Sequence, residues 1–232
     1  LFEFTESRDR ATRVLKYIAN IQVNNPDAKR HQYDTPRFPK AQREVTKQDG
    51  LKLLLDTDGP EAVKEWVLGQ KKLLITDTTM RDAHQSLLST RLRTRDMLKG
   101  ADGTADILAD CFSLEMWGGA TFDTAYRFLH ESPWERLEML REKIPNIPFQ
   151  MLLRGSNLVG YASYPDNLVR AFIAESAREG IDVFRVFDSF NWMPNMETAM
   201  DEVLRQGKFL EGTVCYTGDI LDPTRDRYTL QY

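Results

Sequence analysis

Short apolar runs alternate with helix-type patterns along most of the chain. Strand-like apolar runs occur at residues 73–75, 111–114, 149–153, 183–187 and 213–216. Apolar residues recur at helical spacing at residues 94–109, 133–143, 165–179 and 194–206. Strands that alternate with helices in this way are typical of a parallel α/β fold. We therefore predict five parallel strands joined by helices.

The spacing of these strands and the residues after them favour a barrel. The strand starts are separated by about 30 to 38 residues, near the repeat of a (β/α)8 barrel. Barrels use the carboxyl ends of all their strands for the active site, whereas doubly wound sheets bind a ligand at one switch point. We predict an α/β fold, a partial (β/α)8 TIM barrel of about five βα units. Polar residues follow all five runs: Asp77 and Asp82, Glu115, Arg154, Asp188 and Asp219.

A different pattern precedes the barrel region. Residues 5–22 form a predicted amphipathic helix with a basic face, and residues 24–39 contain prolines and turn residues without a period. We predict a helical linker segment at residues 1–43 and the barrel domain at residues 44–232. Two short helices are predicted at residues 51–55 and 60–67, the second begun by a proline.

Composition and charge exclude several classes of function. The chain has 232 residues, a formal net charge of -4 and 41% hydrophobic residues, which gives no electrostatic basis for nucleic-acid binding. No stretch approaches the ~18 apolar residues of a membrane helix. The two cysteines, Cys111 and Cys215, lack the spacing of a disulfide framework or zinc site. We predict neither nucleic acid nor membrane as a partner.

The segment after the first predicted strand, residues 77–86, concentrates reactive side chains. Arg81, Asp82 and Gln85 supply a cation, an anion and an amide within five residues. A carboxylate at this position can ligate a divalent metal, and an arginine can bind a carboxylate substrate. The alternative is that the acidic residues only cap a turn. His84 in the same segment is predicted to be a hydrogen-bonded structural histidine.

The next two strands carry further candidates. Gly118 and Gly119 follow the second strand and allow either close approach of a ligand or a tight turn. Arg154 follows the third strand and either binds a ligand or forms a salt bridge across the barrel mouth. Tyr161 lies on the same predicted rim.

Several of these motifs resemble a known family. Residues 77–82, Asp-Thr-Thr-Met-Arg-Asp, resemble the opening of metal-dependent barrels that act on 2-oxo acids, such as isopropylmalate synthases and hydroxymethylglutaryl-CoA lyases. Residues 83–88 and 114–123 are similar to the biotin-dependent branch: pyruvate carboxylases, the oxaloacetate decarboxylase α subunit and the transcarboxylase subunit. Residues 152–161 and 184–189 fit all three. Residues 1–70 resemble the segment before the barrel in single-chain pyruvate carboxylases, and the other two enzymes remain the alternatives.

The resemblance implies a mechanism and roles for named residues. Carboxybiotin, delivered on a carrier domain, donates its carboxyl group to the enolate of metal-bound pyruvate to give oxaloacetate. The implied metal is Mn or Zn, and ATP with Mg acts at a separate domain. The implied roles are metal ligation by Asp82, pyruvate orientation and enolate stabilisation by Arg81, Gln85 and Arg154, and biotin contacts by Asp123 and Tyr161.

The resemblance also implies partners and an assembly. These are biotin carboxylase and biotin carrier domains on one polypeptide, a homotetramer, acetyl-CoA as effector, and a bacterial cytoplasmic or mitochondrial matrix location with an anaplerotic and gluconeogenic role. A hypothesis of another class makes residues 1–43 a regulatory or assembly element that binds acetyl-CoA through Arg8, Arg10 and Arg13. The remaining metal ligands and the proton-relay residue are expected beyond Tyr232, so we expect this chain alone to be inactive.

Overall fold

The computed structural model describes residues 12–24, 40–219, 221, 222 and 224. The chain forms two compact units, Leu1–Arg37 and Phe38–Tyr232. Helix α1, Arg13–Asn24, is the described element of the first unit and agrees with the later part of the predicted amphipathic helix. Arg8 and Arg10 lie outside the described residues, as does most of the predicted proline-containing linker. The functional division between residues 43 and 44 stays a prediction.

The second unit contains five strands and seven helices among its described residues, with short 3₁₀ and π turns between them. The strands are β1 (Thr76–Asp77), β2 (Ser113–Trp117), β3 (Phe149–Leu153), β4 (Val183–Val186) and β5 (Phe209–Gly212). The helices are α2 (Lys52–Gly69), α3 (His84–Leu87), α4 (Thr94–Ile107), α5 (Gly119–Thr124), α6 (Pro133–Lys143), α7 (Asp166–Glu179) and α8 (Pro194–Arg205). The four predicted interstrand helices are confirmed as α4, α6, α7 and α8.

The strand order decides between the two predicted architectures. All neighbours are parallel and the order is β1-β2-β3-β4-β5, so each strand pairs with the next one in the sequence. A doubly wound sheet reverses its order at a switch point, and this sheet has no such reversal among its described strands. The predicted α/β fold with five barrel-type units is confirmed.

Two apolar clusters cover the opposite faces of this sheet. The larger one lies between the sheet and the outer helices and contains Phe149 and Phe184. The smaller one lies on the other face, where α2 packs over Phe112, Val183 and Phe209 at the amino-terminal ends of three strands. Because side chains alternate along a strand, Val183 and its neighbour Phe184 point to different clusters. Apolar side chains therefore cover both faces of the sheet.

Helix ends follow local chemistry. Ser132 caps α6 by accepting the Glu135 N–H at 3.3 Å, and Pro133 occupies the first turn, where no N–H is required. In α2, Gly59 has φ 81° and interrupts the helical conformation immediately before Pro60. The two short helices predicted at residues 51–55 and 60–67 therefore lie on either side of this break.

Two predicted strands are misplaced. The first was predicted at residues 73–75, but β1 is Thr76–Asp77, and Leu73 is 89% exposed. The fifth was predicted at residues 213–216, but β5 is Phe209–Gly212. Pairing with β4 fixes this position, because Val183 lies opposite Phe209, and apolar residues that follow the paired stretch do not extend it.

No described helix is long and apolar enough to cross a membrane.

The predicted polar strand ends also need correction. Glu115 lies in the middle of β2, which continues to Trp117, and its side chain is buried. Asp219 lies well beyond the end of β5 on an exposed segment. Of the predicted residues, Asp77 ends β1, Arg154 directly follows β3, and Asp188 lies two residues after β4. The others lie elsewhere, because the strand limits set by pairing differ from those of the apolar runs.

Candidate active site

A π-helical turn directly after β1 carries the central residues of the site. The turn spans Thr79–Ala83, and the Ala83 N–H donates to the Thr78 carbonyl at 3.1 Å. Asp77 accepts the Thr79 N–H at 3.0 Å and its hydroxyl at 2.9 Å. The turn-capping alternative is therefore correct for Asp77. Single π turns occur frequently at functional sites, and this one presents Arg81 and Asp82.

Arg81 forms a two-pronged ion pair with the buried Glu115 of β2. Its Nε donates to Oε2 at 2.9 Å and its Nη2 to Oε1 at 3.2 Å. Its Nη1 donates to Asp82 Oδ1 at 3.1 Å. The Glu115 side chain is only 1% exposed, so the pair is largely removed from water. The guanidinium thus bridges an interior carboxylate and a rim carboxylate.

Asp82 is the carboxylate that faces outward. Its side chain is 50% exposed, so it is accessible to a ligand as well as to Arg81. The described residues contain no cluster of three or more His, Cys, Asp or Glu side chains arranged to hold a metal ion. Gln85 follows in α3, partly buried and four residues after Arg81. This part of the chain therefore offers one outward carboxylate beside a guanidinium and an amide.

Arg154, directly after β3, approaches the same region from the other side of β2. Its Nη1 donates to the Gly160 carbonyl at 3.3 Å, and its guanidinium carbon lies 5.7 Å from the ring centroid of Tyr161. Within residues 40–219 Arg154 forms no ion pair, so the salt-bridge alternative has no support there.

Gly118 and Gly119 lie between the two arginines. A Cβ atom at Gly118 would lie 3.0 Å from Arg81 Cδ, and one at Gly119 would lie 3.5 Å from Arg154 Cζ and 3.0 Å from the Val159 carbonyl oxygen. The φ of Gly118 is -150°, which other residues also adopt. The glycine at this position is therefore explained by the close approach of an arginine, a reason that differs from both a tight turn and direct ligand contact.

A cavity of about 260 Å³ opens beside Arg154 at the carboxyl ends of β3 and β4. Tyr161, Asp188 and Asn195 contribute to its lining. The Asp188 carboxylate accepts the backbone N–H groups of Trp192 and Phe190 and the side-chain amide of Asn195 at 2.8 to 3.0 Å. These hydrogen bonds, led by that of Trp192, lower the pKa of Asp188. The cavity therefore has a cation and an anion in its wall.

Asp123 and Tyr161 occupy different settings. Asp123 lies in α5 and forms an ion pair with Arg127 at 3.1 Å. Tyr161 is 78% exposed, and its ring faces the guanidinium group of Arg154 at 5.7 Å. Of the six residues predicted for the site, Arg81, Asp82 and Gln85 lie on one segment, and Arg154 and Tyr161 line one rim. Asp123 is engaged by its own helical neighbour.

His84 holds this segment in place. It is almost fully buried, its Nδ1 accepts the Leu92 N–H at 3.2 Å, and its carbonyl accepts the N–H of Thr90 at 3.1 Å. Thr90 has φ 58°, an uncommon conformation for a β-branched residue. Burial first, and then the charges of Arg136 and Arg91, lower the pKa of His84 to about 4. The predicted hydrogen bond is present at Nδ1, whereas the buried Nε2 has no partner among the described residues, and the structural role stays a prediction.

The sequence did not reveal that Glu115 is the partner of Arg81. The available signal was an acidic residue between the apolar Leu114 and Met116 of strand Ser113–Trp117. Such a residue requires a cationic partner, but the sequence does not say which cation supplies it.

Known proteins are similar to this chain in both sequence and fold. The chain is 54% identical to pyruvate carboxylase of Staphylococcus aureus over 238 residues, which covers 100% of the chain and 21% of that protein. It is 47% identical to mitochondrial pyruvate carboxylase of Homo sapiens, with 100% and 20% covered. The chain thus spans about a fifth of these relatives. No protein-family model matches it.

Solved structures give the same result. The carboxyl transferase domain of Rhizobium etli pyruvate carboxylase with pyruvate superposes with a TM-score of 0.81 at 50% identity, covering 97% of this chain and 39% of that one. The complete multifunctional enzyme of the same organism gives 0.81 at 49% identity, covering 98% and 22%. The chain is therefore similar over its whole length to a segment of pyruvate carboxylases, and its fold matches part of their carboxyltransferase domain.

Proposed function

We propose that this chain supplies part of a site where carboxybiotin donates its carboxyl group to the enolate of pyruvate, giving oxaloacetate. The observation that carries the proposal is the convergence of Arg81, Asp82 and Arg154 at the carboxyl ends of β1 and β3. Related carboxyl transferase domains have been solved with pyruvate, and with pyruvate and biocytin. A barrel carries its active site at this end.

The two arginines suit the electrostatics of this reaction. Pyruvate is a carboxylate whose enolate carries additional negative charge. Guanidinium groups bind carboxylates through directed, charge-assisted hydrogen bonds. Arg81 lies against Gly118 and Arg154 against Gly119, and Gln85 follows Arg81 by four residues, in α3. We assign pyruvate orientation and enolate stabilisation to Arg81, Gln85 and Arg154.

Asp82 is the residue that fits a divalent metal such as Mn or Zn. Its carboxylate is half-exposed and touches only one cation among the described residues, so an oxygen is accessible to a metal. A metal bound there supplies Lewis-acid polarisation of the substrate carbonyl and stabilises enolate charge. A single carboxylate does not hold a metal tightly, so further ligands must come from elsewhere in the enzyme.

The cavity beside Arg154 suits the ring system of biotin. Its volume of about 260 Å³ is slightly below the ~300 Å³ at which small-molecule sites usually begin, and the exposed ring of Tyr161 supplies an apolar wall. We assign biotin contacts to Tyr161 and Asp123. Asp123 can contact biotin in two ways: its ion pair with Arg127 opens, or Asp123 and Arg127 contact biotin together.

The other proposed properties concern the longer protein. Biotin on a carrier domain, a biotin carboxylase domain with ATP and Mg, a homotetramer, acetyl-CoA as effector, and a bacterial cytoplasmic or mitochondrial location are proposals based on the relatives. The match to pyruvate carboxylases over the whole chain, including residues 1–43, favours this function over an oxaloacetate decarboxylase or transcarboxylase subunit. Acetyl-CoA binding through residues 1–43 is the second candidate.

Replacement of the proposed metal ligand tests the function. In the full-length enzyme that carries this chain, we expect Asp82→Asn to reduce ATP- and bicarbonate-dependent carboxylation of pyruvate by about 100-fold or more. The matched control is Asp96→Asn, which replaces a surface carboxylate that pairs with Lys99 at 2.7 Å. Unchanged turnover in Asp82→Asn, or an inactive wild-type enzyme, would contradict the proposal.

A further inference from the structure

We infer that Glu115 is a positioning residue, which fixes the direction in which Arg81 presents its guanidinium group. The inference rests on the role proposed for Arg81 and extends it to a residue that does not reach the rim. Glu115 acts on Arg81 from inside the barrel wall, and no role in catalysis is assigned to its own carboxylate.

The burial of Glu115 requires an explanation. Its carboxylate is 1% exposed, between the buried apolar neighbours Leu114 and Met116 on β2. A buried, ionised carboxylate costs several kcal/mol unless a cation and hydrogen bonds compensate it. The two-pronged contact with Arg81 provides both. An apolar residue at this position would avoid the cost, so the acidic residue requires a reason beyond packing.

The contact fixes an orientation as well as a charge. Glu115 binds Nε and Nη2 of Arg81, and Asp82 binds Nη1. Both Nη atoms still have N–H donors that these hydrogen bonds do not use. Two prongs define the plane and the rotation of the guanidinium, whereas one hydrogen bond would define neither. The remaining donors are thereby presented at the rim, next to Asp82.

The two partners differ in how firmly their backbones are held. Glu115 lies on β2, which pairs with β1 on one side and β3 on the other. Arg81 lies on a π turn after a strand of two residues. The ion pair therefore connects a side chain on a short turn to the interior of the sheet. Active sites that are built on strands hold their geometry better than sites on loops.

The end of β2 is shaped to admit Arg81. The pairing of β2 with β3 shifts register between Glu115 and Trp117, as in a β-bulge, a feature that redirects side chains next to active sites. Gly118 then leaves space, because a Cβ there would lie 3.0 Å from Arg81 Cδ. Glu115 attracts the guanidinium and Gly118 leaves room for the aliphatic part of the same side chain.

The test replaces Glu115 by glutamine in the full-length enzyme. Glutamine keeps the size but removes the charge and one of the two acceptors. We expect turnover with pyruvate to fall about 10- to 100-fold, as for other residues that orient a site residue, and KM for pyruvate to rise. Glu202→Gln is the matched control, because Glu202 is a buried carboxylate with a two-pronged contact to Arg205, on α8. Its turnover should equal that of the wild-type enzyme.

Two further measurements separate positioning from a structural role. Because Glu115 acts through Arg81, Glu115→Gln should add little to the loss caused by Arg81→Lys in the double variant. Gly118→Ala, which leaves both residues of the ion pair in the sequence, should also lower turnover, because the added methyl displaces Arg81. Independent, multiplicative losses from Glu115→Gln and Arg81→Lys overturn the inference, and so does wild-type turnover in Glu115→Gln.

A crystal structure of Glu115→Gln distinguishes this inference from the function on which it rests. We expect the Arg81 guanidinium to leave its position against β2. An unchanged Arg81 rejects the positioning role even if the enzyme carboxylates pyruvate. A displaced Arg81 in an enzyme whose wild-type form does not carboxylate pyruvate supports the positioning role and rejects the proposed function.

Discussion

The two ends of the sheet use buried charge in different ways. At the amino-terminal end, Asp182 is fully buried and binds Arg141 at 2.6 Å, Lys52 at 3.1 Å and Lys208 at 3.4 Å. It also accepts the Phe149 N–H at 2.9 Å. Nearer the carboxyl end, Glu115 in the middle of β2 binds one guanidinium, which keeps free donors beside a half-exposed Asp82.

The difference separates a structural charge cluster from the cluster that we propose to be functional. Asp182 is surrounded by cations, so its interactions are complete within the fold and link α2, α6 and β4. Arg81 and Asp82 lie where their interactions are incomplete, on a turn with an unusual hydrogen-bond pattern. Barrels commonly divide stability and activity between their two ends in this way. We therefore expect variants of the structural cluster to lose stability and variants of the proposed functional cluster to lose turnover.

The largest effect is expected for Asp182→Asn. The amide leaves Arg141, Lys52 and Lys208 without their central anion, and breaking such a buried pair costs about 3 to 5 kcal/mol. We expect denaturant unfolding of the full-length enzyme to show this loss, with turnover per folded molecule unchanged. Asp102→Asn, which removes an exposed pair with Lys143, should change stability by less than about 0.5 kcal/mol. A loss of turnover without a loss of stability in Asp182→Asn would break the comparison.

The second effect is a dependence of stability on pH at the carboxyl end. The pKa of His84 is about 4 in the folded chain and about 6.5 when unfolded. Because the folded pKa is lowered, the unfolded state binds more protons in this interval. Stability is then full above pH ~6.5 and falls as the pH drops towards 4, by roughly 3 kcal/mol at most. Unfolding of wild-type and His84→Gln enzymes across pH 4 to 7 measures it. An equally steep profile in His84→Gln would assign the dependence to other groups.

The third effect concerns Arg154 and is functional. Lysine keeps the charge of arginine but loses its planar fork, so Arg154→Lys should lower kcat/KM for pyruvate by about 10- to 100-fold, or about 1 to 3 kcal/mol. Stability should hardly change, because Arg154 has no ion pair among the described residues. The control is Arg178→Lys, at an exposed pair with Glu175. A loss of stability equal to that of Asp182→Asn would place Arg154 with the structural cluster.

The smallest effect is expected at a helix cap and calibrates the measurements. Ser132→Ala removes the hydroxyl that caps α6 and should cost about 1 kcal/mol of stability without an effect on turnover. Ser163→Ala, at an exposed loop position, is the control. If Ser132→Ala changes turnover as much as Arg154→Lys does, turnover in this enzyme reports stability, and the functional argument for the carboxyl end weakens.

The sequence alone determined the order of elements and the chemistry of one segment. Alternation of apolar runs and helical periods gave five strands and the helices between them. Residues 77–86 carry Arg81, Asp82 and Gln85 within five residues, so their closeness along the chain is visible in the sequence. The resemblance of the same segment to a known family was visible for the same reason.

Only the tertiary structure decided the features that depend on residues far apart in the sequence. The limits of β5 follow from its pairing with β4, and the partnership of Arg81 with Glu115 joins residues 34 positions apart. The need for Gly118 comes from an arginine on another strand's loop. Periodicity reports which face of an element is buried, whereas pairing register and ion-pair partners depend on how the elements meet in space.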